Sequence, residues 1–264
     1  MGFMSGEEVV VTLLPVAVYW VYAGIYDVLL EHTTVLDRYR LHSRREEETK
    51  NIASRKDVVR GVLLQQAIQV AISVAVLKRG TAAARRTRRW RRSRSWWWRR
   101  GSAWRCWCTV HDGWQYLMHR LMHSVPYMYR RFHSWHHRVA APYAYAAQYG
   151  HPVDGVLTET LSGAAAYLAS GMSPRAAAAF FAFATVKGVD DHCGVAAPWN
   201  PLQAAFRNNA AYHDVHHQRG GGRYNFAQPF FAHWDLLFGT HVPHALLQRE
   251  GGGLEVRAFK DKAR

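Results

Sequence analysis

Two stretches of this chain run uncharged for nearly the thickness of a lipid bilayer. Val9 to Tyr26 is eighteen residues without a charge, and Gly61 to Leu77 is seventeen. Roughly 20 apolar residues carry a helix across the hydrocarbon core. Either stretch alone also suits a buried helix of a soluble protein. A third apolar region, Gly155 to Val189, shifts the balance to a membrane-embedded body. It holds two short runs around Gly171-Met-Ser-Pro174, as expected of a hairpin that enters and leaves one leaflet. The first stretch is not read as a signal peptide, because it lacks a basic start and a small-residue cleavage site. Eight Lys or Arg residues lie between Arg38 and Arg60, and none in residues 1–8. The excess of positive charge on cytosolic loops then places that loop in the cytosol and the N-terminus in the lumen.

The net charge of +15 invites a nucleic-acid reading, so its source matters. Residues 78–108 hold twelve Lys or Arg, six of the eleven tryptophans and no acid; the rest of the chain has 22 basic against 19 acidic residues. The basic excess is therefore local. An Arg- and Trp-rich arm could bind single strands, or the stretch could be a polar low-complexity tract. A third reading explains its position, where a spanning helix should lead into the histidines that follow. Arg and Trp codons abound when GC-rich coding DNA is translated out of frame, so residues from about 80 to 110 are read as a candidate frame-shifted segment. With three cysteines, no disulfide framework is expected.

The chemistry is carried by histidine. Three clusters read His119-Arg-Leu-Met-His123, His133-Ser-Trp-His136-His137 and His213-Asp-Val-His216-His217, with His151 and His192 between the last two. Residues three and four apart share a helix face, so each cluster can aim its imidazoles at one place. One HxxxH pair is weak evidence, but three clusters with the HxxHH form repeated are not explained by packing. Neutral imidazole is the commonest side-chain metal ligand, and an all-nitrogen set suits iron, zinc, copper or nickel rather than magnesium or calcium. Asp190, Asp191 and Asp214 adjoin these histidines and are expected to accept imidazole N–H groups. His32, His42, His111, His233, His241 and His244 lie outside the clusters and are read as surface or packing residues.

In order, the clusters resemble the membrane fatty acid hydroxylase and sterol desaturase superfamily. A narrower resemblance lies in Gly61-Val-Leu-Leu-Gln-Gln-Ala67, Asp112-Gly-Trp-Gln-Tyr-Leu-Met-His119, Tyr149-Gly-His151-Pro and Val189-Asp-Asp-His192-Cys-Gly194. It continues in Asn208-Asn-Ala-Ala-Tyr-His-Asp-Val-His-His217, Tyr224-Asn-Phe-Ala-Gln-Pro-Phe230 and Trp234-Asp-Leu-Leu-Phe-Gly-Thr240. These blocks are similar to the plant sphingoid-base hydroxylases, the sphinganine 4-monooxygenases. The resemblance covers most of 1–77 and 112–250 and is absent from 80–110. It implies two iron ions held by His119, His123, His133, His136, His137, His192, His213, His216 and His217, with His151 a further candidate. Where some relatives carry one more histidine, four residues after the position of His192, this chain has Ala196.

The resemblance further implies O2 as co-substrate and hydroxylation at C4 of sphinganine or a dihydroceramide. An unactivated methylene needs an oxidant that side chains cannot supply, so the metal must provide it. Electrons are expected from cytochrome b5 and its NAD(P)H reductase, because the chain has no Gly-x-Gly-x-x-Gly nucleotide fingerprint. Lys260 and Lys262 have the spacing of a cytosolic dilysine signal, which with the lipid substrate points to the endoplasmic reticulum membrane. The expected fold is all-α: membrane helices form a stem under a cytosolic helical cap with a histidine-rich di-metal site. Its expected parts are two membrane helices and a basic loop over 1–77, the anomalous segment 78–111, a catalytic region 112–250 with a membrane hairpin near 155–189, and a tail 251–264. The competing readings are another lipid desaturase or sterol oxidase of the superfamily, an inactive membrane protein, and an Arg-rich nucleic-acid-binding protein.

Overall fold

The computed structural model describes the backbone of residues 4–86 and 102–259, and side chains throughout except at 79–86 and 102–104. Helices dominate. Helix α1 (Gly6–His32) begins at a reciprocal cap in which Ser5 Oγ accepts from Glu8 N and Glu8 accepts from Ser5 N. Its buried stripe, Tyr19, Ala23, Tyr26 and Leu30, follows the i, i+4, i+7, i+11 spacing of one helix face. The opposite face stays bare, with Val21 64% exposed and Val28 54%. An apolar face of that kind suits lipid rather than water. α1 and α3 (Arg55–Arg86) are both long and apolar enough to cross a membrane.

The basic loop between them has a structural use. The guanidinium groups of Arg40 and Arg44 donate to the Leu30 carbonyl, one of the unpaired acceptors at the end of α1. The short helix α2 (Arg44–Lys50) opens on a second capping box, Ser43 with Glu46.

Helix α4 (Ser102–Ser124) carries the first histidine pair. Residues 102–111, the end of the segment read from the sequence as anomalous, form its first turns. Trp107 and Cys108 are buried with Phe180 and Phe230 in one apolar cluster, and Asp112 accepts from the backbone N–H groups of Phe230 and Phe231. Trp107, the one indole of this segment whose side chain is described, thus serves as core. Residues 87–101, and the frame-shift reading of them, lie outside the described residues.

After α5 (Pro126–Arg131) and a 3-10 turn over His133–Arg138, the chain enters α6 (Pro152–Gly155), a π turn at Val156–Thr160 and α7 (Leu161–Ser170). The α7 helix stops at Gly171, whose φ of 61° glycine adopts without a Cβ penalty. Ser173 caps and Pro174 starts α8 (Pro174–His192), which packs along α1. The reversal around Gly171 falls where the sequence placed it. Short helices α9 (Pro201–Ala205), α10 (Ala210–His217) and α11 (His233–Leu237) complete the body.

One element departs from the all-α expectation. Strands β1 (His244–Gln248) and β2 (Leu254–Ala258) pair antiparallel, from His244 with Ala258 to Gln248 with Leu254. Gly251, Gly252 and Gly253 make the turn with positive φ, and Leu254 and Val256 face inward. Residues 251–258 therefore belong to the packed body instead of a free tail. Lys260 and Lys262 lie outside the described residues.

Candidate metal centre

Nine of the ten histidines singled out from the sequence converge. His119, His123, His133, His137 and His216 form one group, and His136, His192, His213 and His217 form another. Within each group the candidate ligand atoms lie within 4.8 Å of one another. The grouping cuts across the sequence clusters. Each HxxHH motif sends two histidines to one group and one to the other: His133 and His137 separate from His136, and His213 and His217 from His216. Neighbouring residues point about 120° apart in the 3-10 turn that holds His136 and His137 and about 100° apart in α10, so adjacent pairs 136/137 and 216/217 face different groups. His119 and His123 share a group as their spacing suggested, whereas the two HxxHH clusters divide between the groups instead of acting as one face.

Hydrogen bonding fixes the tautomers. Nδ1–H of His119 donates to the Phe226 carbonyl, His136 to Tyr149, His192 to Gly188, His216 to Tyr224 and His217 to Val139, all at 2.8–2.9 Å. His133 Nδ1 lies 2.7 Å from Asp154 Oδ2. A neutral imidazole that donates from Nδ1 keeps a lone pair at Nε2. Of these, the Nε2 atoms of His192 and His136 meet as acceptor against acceptor at 3.4 Å, and His213 Nε2 lies 2.9 Å from that of His192 and 3.0 Å from that of His217. In the other group His137 is 3.0 Å from His123 and 3.2 Å from His216. The Nε2 atoms of His119 and His133 are buried with no hydrogen-bond partner. Clustered lone pairs of this kind repel unless a cation lies among them, so the donor set fits a metal ion in each group.

Burial keeps the ligands neutral. It is the largest influence pulling His136 down to about 4 and His216 to about 3, so neither binds a proton at neutral pH. Burial alone would raise the Asp154 carboxyl, yet the His133 imidazole beside it holds it below the usual carboxylate range.

The predicted aspartate roles are corrected. Asp190 accepts from Tyr22, Tyr26, Asn200 and Gln203. Asp191 pairs with Lys187, and Asp214 lies 2.5 Å from His42 Nε2 and accepts from Gln218. None of these contacts is to a histidine of either group. A residue next to a helical ligand points about 100° away from it. His151 belongs to neither group; its Nδ1 accepts from Val153 N at the start of α6, and its ring packs on Phe132 and Trp135. His42, read as surface or packing, is buried against Asp214.

Two residues escaped the sequence reading. Asp154 has no spacing that links it to His133, 21 residues earlier. Asp235 accepts from the N–H groups of Phe226 and Ala227 and from Tyr212, and so fixes the loop whose carbonyl takes the His119 proton.

Beside His192 a cavity of about 200 Å³ opens between α1, α3, α7 and α8. Its walls include Val16, Val70, Val76, Ala164 and Phe181, and it reaches His192 at one end. A smaller hollow against His119, His133, His136 and His192 shares Ala147, Gln148, Glu159, His192 and Gln228 with it. The two hollows adjoin across these shared residues, the larger mainly apolar and the smaller one polar.

Apolar helices of membrane-crossing length and a convergent, largely buried set of nine imidazoles define a helical membrane protein built around a histidine centre. Residues 104–240 match the family model for fatty acid hydroxylase, and the chain belongs to that family, whose monooxygenases are typically iron-dependent. It is 46% identical to sphinganine C4-monooxygenase 1 of Arabidopsis thaliana over 99% of this chain and 98% of that one. Identity to sphinganine C4-monooxygenase 2 of the same plant is also 46%, over 98% of each. A very-long-chain aldehyde decarbonylase of Oryza sativa subsp. indica is 45% identical over 98% of each chain. No solved structure matches the chain.

Proposed function

We propose that the protein is an O2-dependent membrane hydroxylase that acts at C4 of sphinganine or a dihydroceramide, with two iron ions held by the nine grouped histidines. The observation that carries this reading is the convergence of nine imidazoles, six of them fixed through Nδ1, beside an apolar cavity. When bound, the iron pair would supply O2 activation and an oxidant able to break a methylene C–H bond. The chain's own part is to hold the imidazoles neutral and aimed, through five backbone carbonyls and Asp154. It also lays one carbon of a long chain beside them and keeps water away.

The names of the two Arabidopsis relatives support the sphingoid substrate. The two spans act as a stem, and the histidines face the cytosol beneath a helical cap. In support, the basic loop that the charge rule places in the cytosol binds the histidine segment directly, with Ile52 N donating to Arg138 O at 2.7 Å. That side gives access to cytochrome b5 and its reductase as electron donors, in the endoplasmic reticulum membrane.

The test is expression in cells that lack their own C4-hydroxylase, with 4-hydroxy bases read by mass spectrometry. A parallel version with residues 80–110 in the shifted frame reports on the anomalous segment. The expected result is 4-hydroxy base from the chain as given. Expressed, iron-loaded protein that makes none in either version would overturn the reading. The rice relative's name makes an aldehyde substrate the second reading, and feeding long-chain aldehyde to the same cells tests it.

A further inference from the structure

A C4-hydroxylase must place C4 beside the metal ligands, so the amino-diol formed by C1 to C3 must sit within a few ångströms of them. The tail must leave the other way. The adjoining hollows beside the histidines have this polarity, the smaller one polar against the histidines and the larger one apolar. Along α3 it is lined from Gln66 to Leu77, eleven residues or about 16 Å of helix. At about 1.25 Å per zigzag carbon that length holds about a dozen methylenes.

The polar end contains two groups that the fold leaves available. Gln65 is 1% exposed, and neither its Oε1 nor its Nε2 has a hydrogen-bond partner. It lines the hollow against His119 and His133. Its amide lies over Gly155, where a Cβ would come within 2.1 Å of Nε2, so the glycine makes the space it occupies. Its neighbour Gln66 is already used, accepting from Trp20 and donating to Gln148 at 2.8 and 2.9 Å.

Glu159 is the second group. Three carboxylates line the two adjoining hollows among the described residues. Asp154 is committed to His133 and Asp191 to Lys187. Glu159 accepts only the uncharged amide of Gln69, at 3.0 Å, and faces no cationic side chain.

We propose that Glu159 and Gln65 form the recognition site for the 2-amino-1,3-diol end of a long-chain base: Glu159 meets the C2 nitrogen, and the Gln65 amide takes the hydroxyl groups. The inference rests on the sphingoid reading above and deepens it. A protonated free amine complements the carboxylate better than an N-acyl amide does. Glu159 therefore sets a preference for sphinganine over dihydroceramide. A fatty aldehyde, with one acceptor oxygen and no donor, would leave the carboxylate unanswered.

The experiment uses the iron-loaded, full-length protein in detergent, with Glu159→Gln and Gln65→Leu, both close in size to the residues they replace. Iron content and unfolding temperature check that each variant is intact, and Gly155→Ala, which displaces the Gln65 amide, gives an independent route to its loss. Equilibrium binding of labelled sphinganine and of a short-chain dihydroceramide is measured beside KM and kcat. Glu159→Gln is expected to weaken sphinganine binding by about tenfold or more, as loss of a charged hydrogen bond does, and to weaken dihydroceramide binding much less. Gln65→Leu and Gly155→Ala are expected to weaken both. Sphinganine affinity within twofold of the parent in Glu159→Gln and Gln65→Leu would overturn the inference. Because binding is read without turnover, a parent protein that binds sphinganine but does not hydroxylate it would remove the C4-hydroxylase reading while leaving this site tested.

Discussion

Replacing Asp154 should loosen iron far more than its distance from any metal would suggest. Its carboxylate holds His133 Nδ1 at 2.7 Å in a buried setting, and it is the one acidic acceptor among the six Nδ1 partners. A hydrogen bond to a charged acceptor contributes about 1.5–3 kcal/mol. Asp154→Ala removes all of it and frees the ring to turn, so iron affinity of the five-histidine group should fall about 10- to 100-fold. Asp154→Asn keeps an acceptor and loses the charge; a neutral bond is about half as strong, which predicts a fall of roughly three- to tenfold. The assay is iron per chain by elemental mass spectrometry after dialysis against graded chelator. Asp190→Asn is the contrast, since Asp190 bonds tyrosines and amides and touches no grouped histidine. That variant should keep its iron. Parent-like retention in Asp154→Ala, or equal loss in Asp190→Asn, would refute the reasoning.

Three further outcomes are expected. Gly222→Ala puts a Cβ 3.0 Å from the His123 ring, so iron loading should drop while the secondary structure by circular dichroism holds. Trp107→Ala empties a site that is 1% exposed and should lower stability by about 3–5 kcal/mol in a detergent unfolding assay; a neutral result would contradict the packing of the first turns of α4. Metal-free protein should lose stability on acidification. Burial lowers His136 from 6.5 to about 4 in the folded state. The unfolded chain therefore binds more protons between those values, and its contribution is complete above pH 6.5 and lost as pH falls to about 4. A melting temperature flat across that window would contradict it.

The sequence made the histidines visible because metal ligands need nitrogen donors at helical spacing, and the HxxHH repeat supplies them on sight. It hid their pairing. His136 and His137 are neighbours in the chain and part company in space, since one residue along a 3-10 or α-helical turn swings the side chain by about 100–120°. The same rotation explains why Asp190, Asp191 and Asp214 seemed placed to support ligands and instead face tyrosines, Lys187 and His42. Five of the acceptors that orient the imidazoles are backbone carbonyls, which leave no mark in side-chain identity. The reversal was legible from Gly171, free to take the positive φ that ends a helix, and Pro174, whose fixed φ suits the first turn of the next. The β1–β2 hairpin was not, because two five-residue strands after a histidine-rich helical body give too short an alternation to notice.

The central claim is that the histidine centre inserts oxygen at C4 of a long-chain base. Purified, iron-loaded protein given C4-deuterated sphinganine, a chemical reductant and isotope-labelled O2 tests it most directly. The account predicts a 4-hydroxy base that has lost one deuterium and carries labelled oxygen on C4. A C4–C5 double bond without label, a shortened chain, or no consumption of sphinganine would contradict it.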